Sequence, residues 1–216
     1  MRILISGMAI LATALAVVTV QARPVSFVGG KTAIVSVDGK EASALLHYTI
    51  NPKISVGLRS ILRNSLRTSI NAVEMNVLAH RDNGEDHQAN LYLRGGLGLG
   101  STKQDGMSRQ FKPAAYVGMA ADWEDRRFFV SYKNKVEAIS GQEGEFSQSA
   151  RVGIAPYIAD FGELHTWLML EVNHHPMDPE GAFTIRPLVR FFKGTHLVEI
   201  GVNNRLEGMV NWIGRY

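Results

Sequence analysis

The sequence contains no cysteine, only 7 prolines, and no excess of one charge sign. Without cysteine there is neither a disulfide scaffold nor a thiolate metal centre. Lys and Arg number 23 against 20 Asp and Glu, a net charge of +3 with no long basic block, so no nucleic-acid partner is expected. No Gly-x-Ser-x-Gly elbow, His-Glu-x-x-His helix or phosphate-binding glycine loop occurs, which removes the commonest hydrolase, metalloprotease and nucleotide sites. What remains is a chain of 216 residues, 45% hydrophobic, long enough to bury a core without a staple and too apolar for a disordered polymer.

The first residues read as an export signal. Met1 and Arg2 open it, an apolar stretch runs from Ile3 to Val20, and Val20-Gln21-Ala22 places small residues where a signal peptidase cuts. Cleavage after Ala22 is expected, leaving 23–216 as the mature domain. Beyond it no apolar stretch has the length of a membrane helix, so the mature chain is either soluble outside the inner membrane or crosses a membrane with strands.

From residue 31 onward the apolar positions recur with period 2 between clusters of Gly, Asp, Asn and Pro. In Ala89 to Gly100, Leu91, Leu93, Leu97 and Leu99 oppose Asn90, Tyr92, Arg94, Gly96 and Gly98, because side chains alternate faces along a strand. The phase repeats in Ala115 to Trp123 and in Ser149 to Tyr157. Such runs predict twelve strands, near 31–37, 42–50, 54–62, 66–80, 89–100, 113–123, 127–137, 147–157, 164–173, 182–192, 195–203 and 208–216. Runs of about 10 residues suit a tilted bilayer crossing. The fold class expected is all-β, an antiparallel up-and-down transmembrane barrel of about twelve strands, within a range of 8–12. Turns alternate between tight (Asn51-Pro52-Lys53, Glu124-Asp125-Arg126, Asp160 to Glu163, Lys193-Gly194-Thr195) and longer (Ser101 to Lys112, Ala138 to Phe146, His174 to Gly181). The alternation is a tendency, broken by 81–88 and by Asp38-Gly39-Lys40.

Val210, Trp212 and Tyr216 share one face of a terminal strand that stops at an aromatic residue. With the signal segment and the strand periodicity, this makes the mature chain resemble small Gram-negative outer-membrane β-barrel proteins. The stretches Ala120 to Arg127 and Leu164 to Leu170 resemble an uncharacterised proteobacterial family of that kind. The resemblance implies an outer-membrane location, outer-membrane lipids as surroundings, and the outer-membrane assembly machinery as a partner reading the strand that ends at Tyr216. It implies no activity. A soluble β-sandwich or lipocalin-like barrel also alternates, but glycines such as Gly57, Gly96, Gly98, Gly118 and Gly153 on the polar face suit a crowded lumen better than a soluble exterior.

If the apolar rows face lipid, the opposite rows carry Arg59, Arg94, Lys133, Arg151, Arg186, Arg190 and Arg215 inward, against Glu74, Asp122, Glu171 and Glu199. Arg59, Arg94, Arg151, Arg186 and Arg190 are the candidate anion-binding residues, since guanidinium stays charged and offers a planar fork to carboxylate or phosphate. Arg186 and Arg190, four apart on one strand, would stack roughly 13 Å apart along the wall. Two arrangements stay open: a narrow path for small anionic solutes, resembling outer-membrane channels for acidic sugars in size and charge pattern but not in motifs, or a salt-bridged plug. No cofactor and no catalytic residue is expected. His174-His175-Pro176-Met177-Asp178 has metal-binding side-chain types, but neighbours on an extended loop do not converge on one ion, so no metal site is expected. Some small outer-membrane barrels are lipid acyl hydrolases, and that alternative requires a nucleophile and base on one outer face. His47 with Thr49 has the phase but not serine, and His165 with Thr166 has neither. An accessory binding role in envelope or metal homeostasis is the remaining alternative. The charged turn Asp122 to Arg127 reads as a solvated hairpin flanked by interfacial Trp123 and Phe128.

Overall fold

A computed structural model describes residues 24–63, 68–102, 109–160, 162–178 and 182–216. The signal segment expected over 1–22 lies outside the described residues. Twelve strands follow in chain order: β1 (Lys31–Val37), β2 (Glu41–Asn51), β3 (Ile54–Arg63), β4 (Thr68–Asn83), β5 (His87–Thr102), β6 (Gln110–Asp125), β7 (Phe128–Ile139), β8 (Glu145–Ile154), β9 (His165–His174), β10 (Phe183–Lys193), β11 (His196–Val202) and β12 (Gly208–Arg215). Each pairs antiparallel with the next, and β1 closes on β12 from Thr32 opposite Arg215 to Val37 opposite Val210. Closure gives every strand two neighbours and leaves no edge strand. The chain is therefore an all-β, twelve-stranded closed antiparallel barrel, and no helix occurs among the described residues.

The alternation read from the sequence sets which way each side chain points. Leu97 (73% exposed), Leu58 (66%) and Val117 (61%) stand on the outer wall with Val73, Leu93, Val130, Val152, Leu168, Ile185, Ile200 and Val210. The inward rows hold the buried glutamates and arginines. This inverts a soluble barrel, whose polar face meets water. A continuous apolar outer wall of this extent suits hydrocarbon and not water. Trp123, Phe128, Trp212 and Tyr216 stand on the same outer wall near the end of the barrel that carries Pro24 and Tyr216.

Two irregularities modify the simple pattern. Register shifts occur at Thr49/Asn51 and at Leu78/His80. The second changes the phase of β4: even-numbered Asn76 and Leu78 face inward before it, and Arg81, hydrogen-bonded to inward Asn90 at 2.7 Å, faces inward after it. The connection expected to be tight at Asp160 to Glu163 is longer, spanning 155–164, because β8 stops at Ile154 ahead of Ala155-Pro156. Proline lacks the N–H a ladder needs. Tyr157 closes this connection by hydrogen bonds to the Leu164 carbonyl and to Thr166 Oγ1, both 2.8 Å.

Candidate functional site: the barrel lumen

The lumen is lined by two unlike walls. On the wall formed by β8 to β11, strand register brings opposite charges face to face: Arg151, Glu171 and Arg186 lie in line across β8, β9 and β10, and Arg190 lies opposite Glu199 across β10 and β11. Cross-strand partners a few ångströms apart are the sheet's natural ion pairs. Arg151 meets Glu171 at 2.5 Å and Glu199 at 2.7 Å, Arg186 meets Glu171 at 3.1 Å, and Arg190 meets Glu199 at 2.8 Å. Asn173 and Asn211 donate to the same carboxylates at 3.0 and 2.9 Å. The Arg190 guanidinium also lies 4.7 Å over the Phe129 ring, a cation–π contact. Below it Phe129, Met169, Leu188 and Met209 form an apolar cluster inside the bore.

On the other side, Arg59 is ion-paired with Glu74, which also accepts from the Tyr116 hydroxyl at 2.6 Å and from Asn76 at 3.0 Å. The Tyr116 ring reaches this position only because residue 96 is glycine. A Cβ there would lie 2.2 Å from the ring. Ile61, Ile70, Ala72, Ala114 and Ile139 pack around the same tyrosine.

Arg94 on β5 and Lys133 on β7 differ from all of these. Neither makes an ion pair with a carboxylate among the described residues, although Glu171 lies nearest to Lys133 electrostatically and Glu74 acts on Arg94, and Arg94 Nε is buried without a hydrogen bond. Between them β6 presents only Gly118, opposite Arg94, and Ala120, opposite Lys133. Lys133 faces inward and is nonetheless exposed, so the bore beside it admits water. Its electrostatic neighbours are Glu171, Arg151, Arg94 and Glu199.

Both mouths are narrowed. At the end away from the chain termini, Arg63 on β3 meets Glu41 at 3.0 Å, Glu137 at 2.7 Å and Glu145 at 2.6 Å, so one guanidinium ties β2, β7 and β8 across the bore. Asp178 binds Lys40 at 2.5 Å and Arg205 at 3.2 Å, joining three loops. Burial beside this cluster lowers the His175 imidazole below its ordinary value, against the opposing pull of Glu145, Asp178 and Asp38 and with the help of Lys40. At the other end, Pro24 to Gly30 folds into the opening: Val25 is buried on Leu78 and Tyr92, and Ser26 binds Thr49 through its backbone N–H at 3.2 Å and its hydroxyl at 3.0 Å.

The five candidate arginines thus all line the lumen, and four of them are held by glutamates. Arg186 and Arg190 do not stand as a free ladder. Each is committed to a carboxylate that the sequence could number but not pair. Lys133, a lumen cation left out of the candidate set, and Arg63, one residue beyond the strand expected over 54–62, prove as informative as the candidate arginines. The histidines spread out. His174 ends β9 and stacks on Phe183 with centroids 4.2 Å apart, His87 stacks on Trp123, and His196 stacks on Trp212. No group of metal-ligating side chains converges among the described residues. His47 Nδ1 lies 3.0 Å from Ser55 Oγ, a pair the sequence reading missed because it spans two strands. Both face inward and are buried, and the serine hydroxyl donates to the Pro24 carbonyl at 2.8 Å, so neither is presented to lipid on the outer wall.

The architecture is a closed twelve-stranded antiparallel β-barrel whose polar side chains line its lumen. No family model matches the chain, and no curated protein sequence matches it either. Among solved structures it is similar in fold to the KdgM porin in complex with disordered oligogalacturonate (TM-score 0.50, 8% identity, 87% of this chain and 98% of that one). Others with some likeness are OccK8 (OprE) of Pseudomonas aeruginosa (TM-score 0.44, 6% identity, 82% of this chain and 57% of that one) and the translocator domain of the autotransporter NalP from Neisseria meningitidis (TM-score 0.45, 9% identity, 88% of each).

Proposed function

We propose that the protein is a narrow passive channel of the Gram-negative outer membrane with a lumen that favours small anions. On this reading residues 1–22 are an export signal removed in transit, the apolar outer wall contacts outer-membrane lipid, and the strand ending at Tyr216 is the segment the assembly machinery reads. The observation that carries the selectivity is the surplus of inward cations: Arg151, Arg186 and Arg190 share Glu171 and Glu199, with Asp38 3.8 Å from Arg186, and Lys133 and Arg94 add two further charges that make no ion pair among the described residues. A bore of low dielectric magnifies that surplus and draws in anions. The porin of similar fold is in complex with oligogalacturonate, an acidic solute, which agrees in sign with this reading.

The test is the single-channel current of the refolded protein in a planar bilayer under a salt gradient. A steady conductance whose reversal potential lies on the anion side is expected. A barrel shown to be folded that carries no current overturns the channel. A cation-side reversal potential overturns the charge argument.

A further inference from the structure

The unpaired cations are not scattered. Arg94 and Lys133 stand on the two strands that flank β6, with Gly118 and Ala120 between them. Arg94 lies across Gly118 from Lys135, and Lys133 lies two residues away along β7, across Ala120 from Tyr92, so two strand spacings and a two-residue offset, roughly 12 Å, separate the backbones of Arg94 and Lys133. Both side chains are long enough to meet over that gap, and the residues beneath them have almost no side chain to fill it. The neighbouring cations are accounted for: Arg59 by Glu74, Lys135 by Glu137 at 3.0 Å, and Arg151 by Glu171 and Glu199. A buried guanidinium nitrogen without a partner lies diagonally across Gly118 and Ala120 from a water-accessible ammonium whose leading carboxylate neighbour, Glu171, makes no ion pair with it, an arrangement short of an anion.

We infer that Arg94 and Lys133 form an oxyanion-binding station inside the barrel, sized for a compact anion such as phosphate or a short carboxylate and not for an extended acidic chain. This rests on the channel reading only for its role in transport, since the station is a binding site whether or not the bore conducts. Arg94 supplies N–H groups to two oxygens of the ligand, and Lys133 supplies a point charge that remains hydrated from the bore. The size limit follows from the mouths. Arg63 crosses one of them to three carboxylates, and residues 24–30 occupy the other, so a polymer cannot lie through the bore while these contacts hold. The three carboxylates around Arg63 also repel a polyanion at the entrance.

The station is tested by calorimetric titration of inorganic phosphate into the detergent-refolded protein, in parallel with phosphate block of chloride current in the bilayer. Wild type is expected to bind phosphate saturably, and Arg94→Met and Lys133→Met are each expected to weaken that binding at least tenfold. Lys53→Met, at a turn outside the bore, is expected to leave it unchanged. Fold is checked independently: Arg94 makes no ion pair, so Arg94→Met should unfold at urea concentrations no lower than wild type, and Lys133→Met, which removes a charge near Glu171 without breaking an ion pair, should remain folded in the same assay. Phosphate binding that survives in both variants, or that Lys53→Met weakens equally, overturns the station. Anion-selective current without phosphate binding overturns the station and keeps the channel. Binding without current does the opposite. Block by polygalacturonate as strong as block by phosphate overturns the size limit.

Discussion

On the β8 to β11 wall, three arginines and two glutamates come into register and bind one another at 2.5–3.1 Å, whereas on the β5 to β7 wall Arg94 and Lys133 flank Gly118 and Ala120 and make no ion pair among the described residues. The same residue types serve opposite ends. On the first wall, every arginine is paired locally, and the pairs hold the side chains of four strands in fixed positions. On the second, charge is left over. The difference teaches that counting inward arginines overstates a lumen's appetite for anions, because a cross-strand glutamate cancels an arginine while a cross-strand glycine leaves it available.

The comparison predicts unequal responses to mutation. The largest effect is expected from Glu199→Leu, which strands Arg190 in the buried network and takes one of the two carboxylates from Arg151. Breaking a buried pair from one side costs on the order of 3–5 kcal/mol, to be read from urea unfolding followed by tryptophan fluorescence. Arg94→Met should lose no stability in the same assay. If the two variants respond alike, the distinction between the walls fails. An intermediate effect is expected from Gly96→Val, whose side chain would displace the Tyr116 ring and remove its hydrogen bond to Glu74, at about 1–3 kcal/mol. Tyr116→Phe should cost less than Gly96→Val, since it removes the hydroxyl and leaves the ring in place.

The smallest effect concerns the mouth. His175 is held below its ordinary imidazole value by burial, so the folded loop prefers the neutral form. The stabilisation is complete above the unfolded value, about pH 6.5, and is lost as pH falls below it and through the folded value. Limited proteolysis of the 175–178 loop should quicken between pH 7.5 and pH 5.5. His175→Gln should remove most of that dependence, and an unchanged profile in the variant would assign it to Glu145, Asp178 or Asp38 instead.

Most of the fold could be read in advance because a period-2 pattern is a local property. Leu91, Leu93, Leu97 and Leu99 announce a strand and its outer face without reference to any other strand. Boundaries were less legible. The pattern ran on past Ile154 to Tyr157, but Pro156 ended the pairing, and the phase change at Leu78/His80 depends on an extra residue that only the partner strand reveals. The site was legible by residue type and not by state. Arg186 and Arg190 could be placed on one face from their spacing, but whether they stood free depended on Glu171 and Glu199, which lie 15 and 9 residues away along the chain. The Ser55–His47 pair and the reach of Arg63 to Glu137 and Glu145 gave no local signal at all.

By itself, then, the alternation of apolar and polar residues determined that this chain forms strands, how many, and which face of each turns away from water, since side-chain direction along a strand needs only the strand. The tertiary structure decided which charges cancel. Ion pairing depends on distances between residues on different strands, and those distances exist only once register, bulges and closure of β1 on β12 have set them. That is why the five candidate arginines were visible from the start, while the unpaired pair of Arg94 and Lys133 emerged only from the closed barrel.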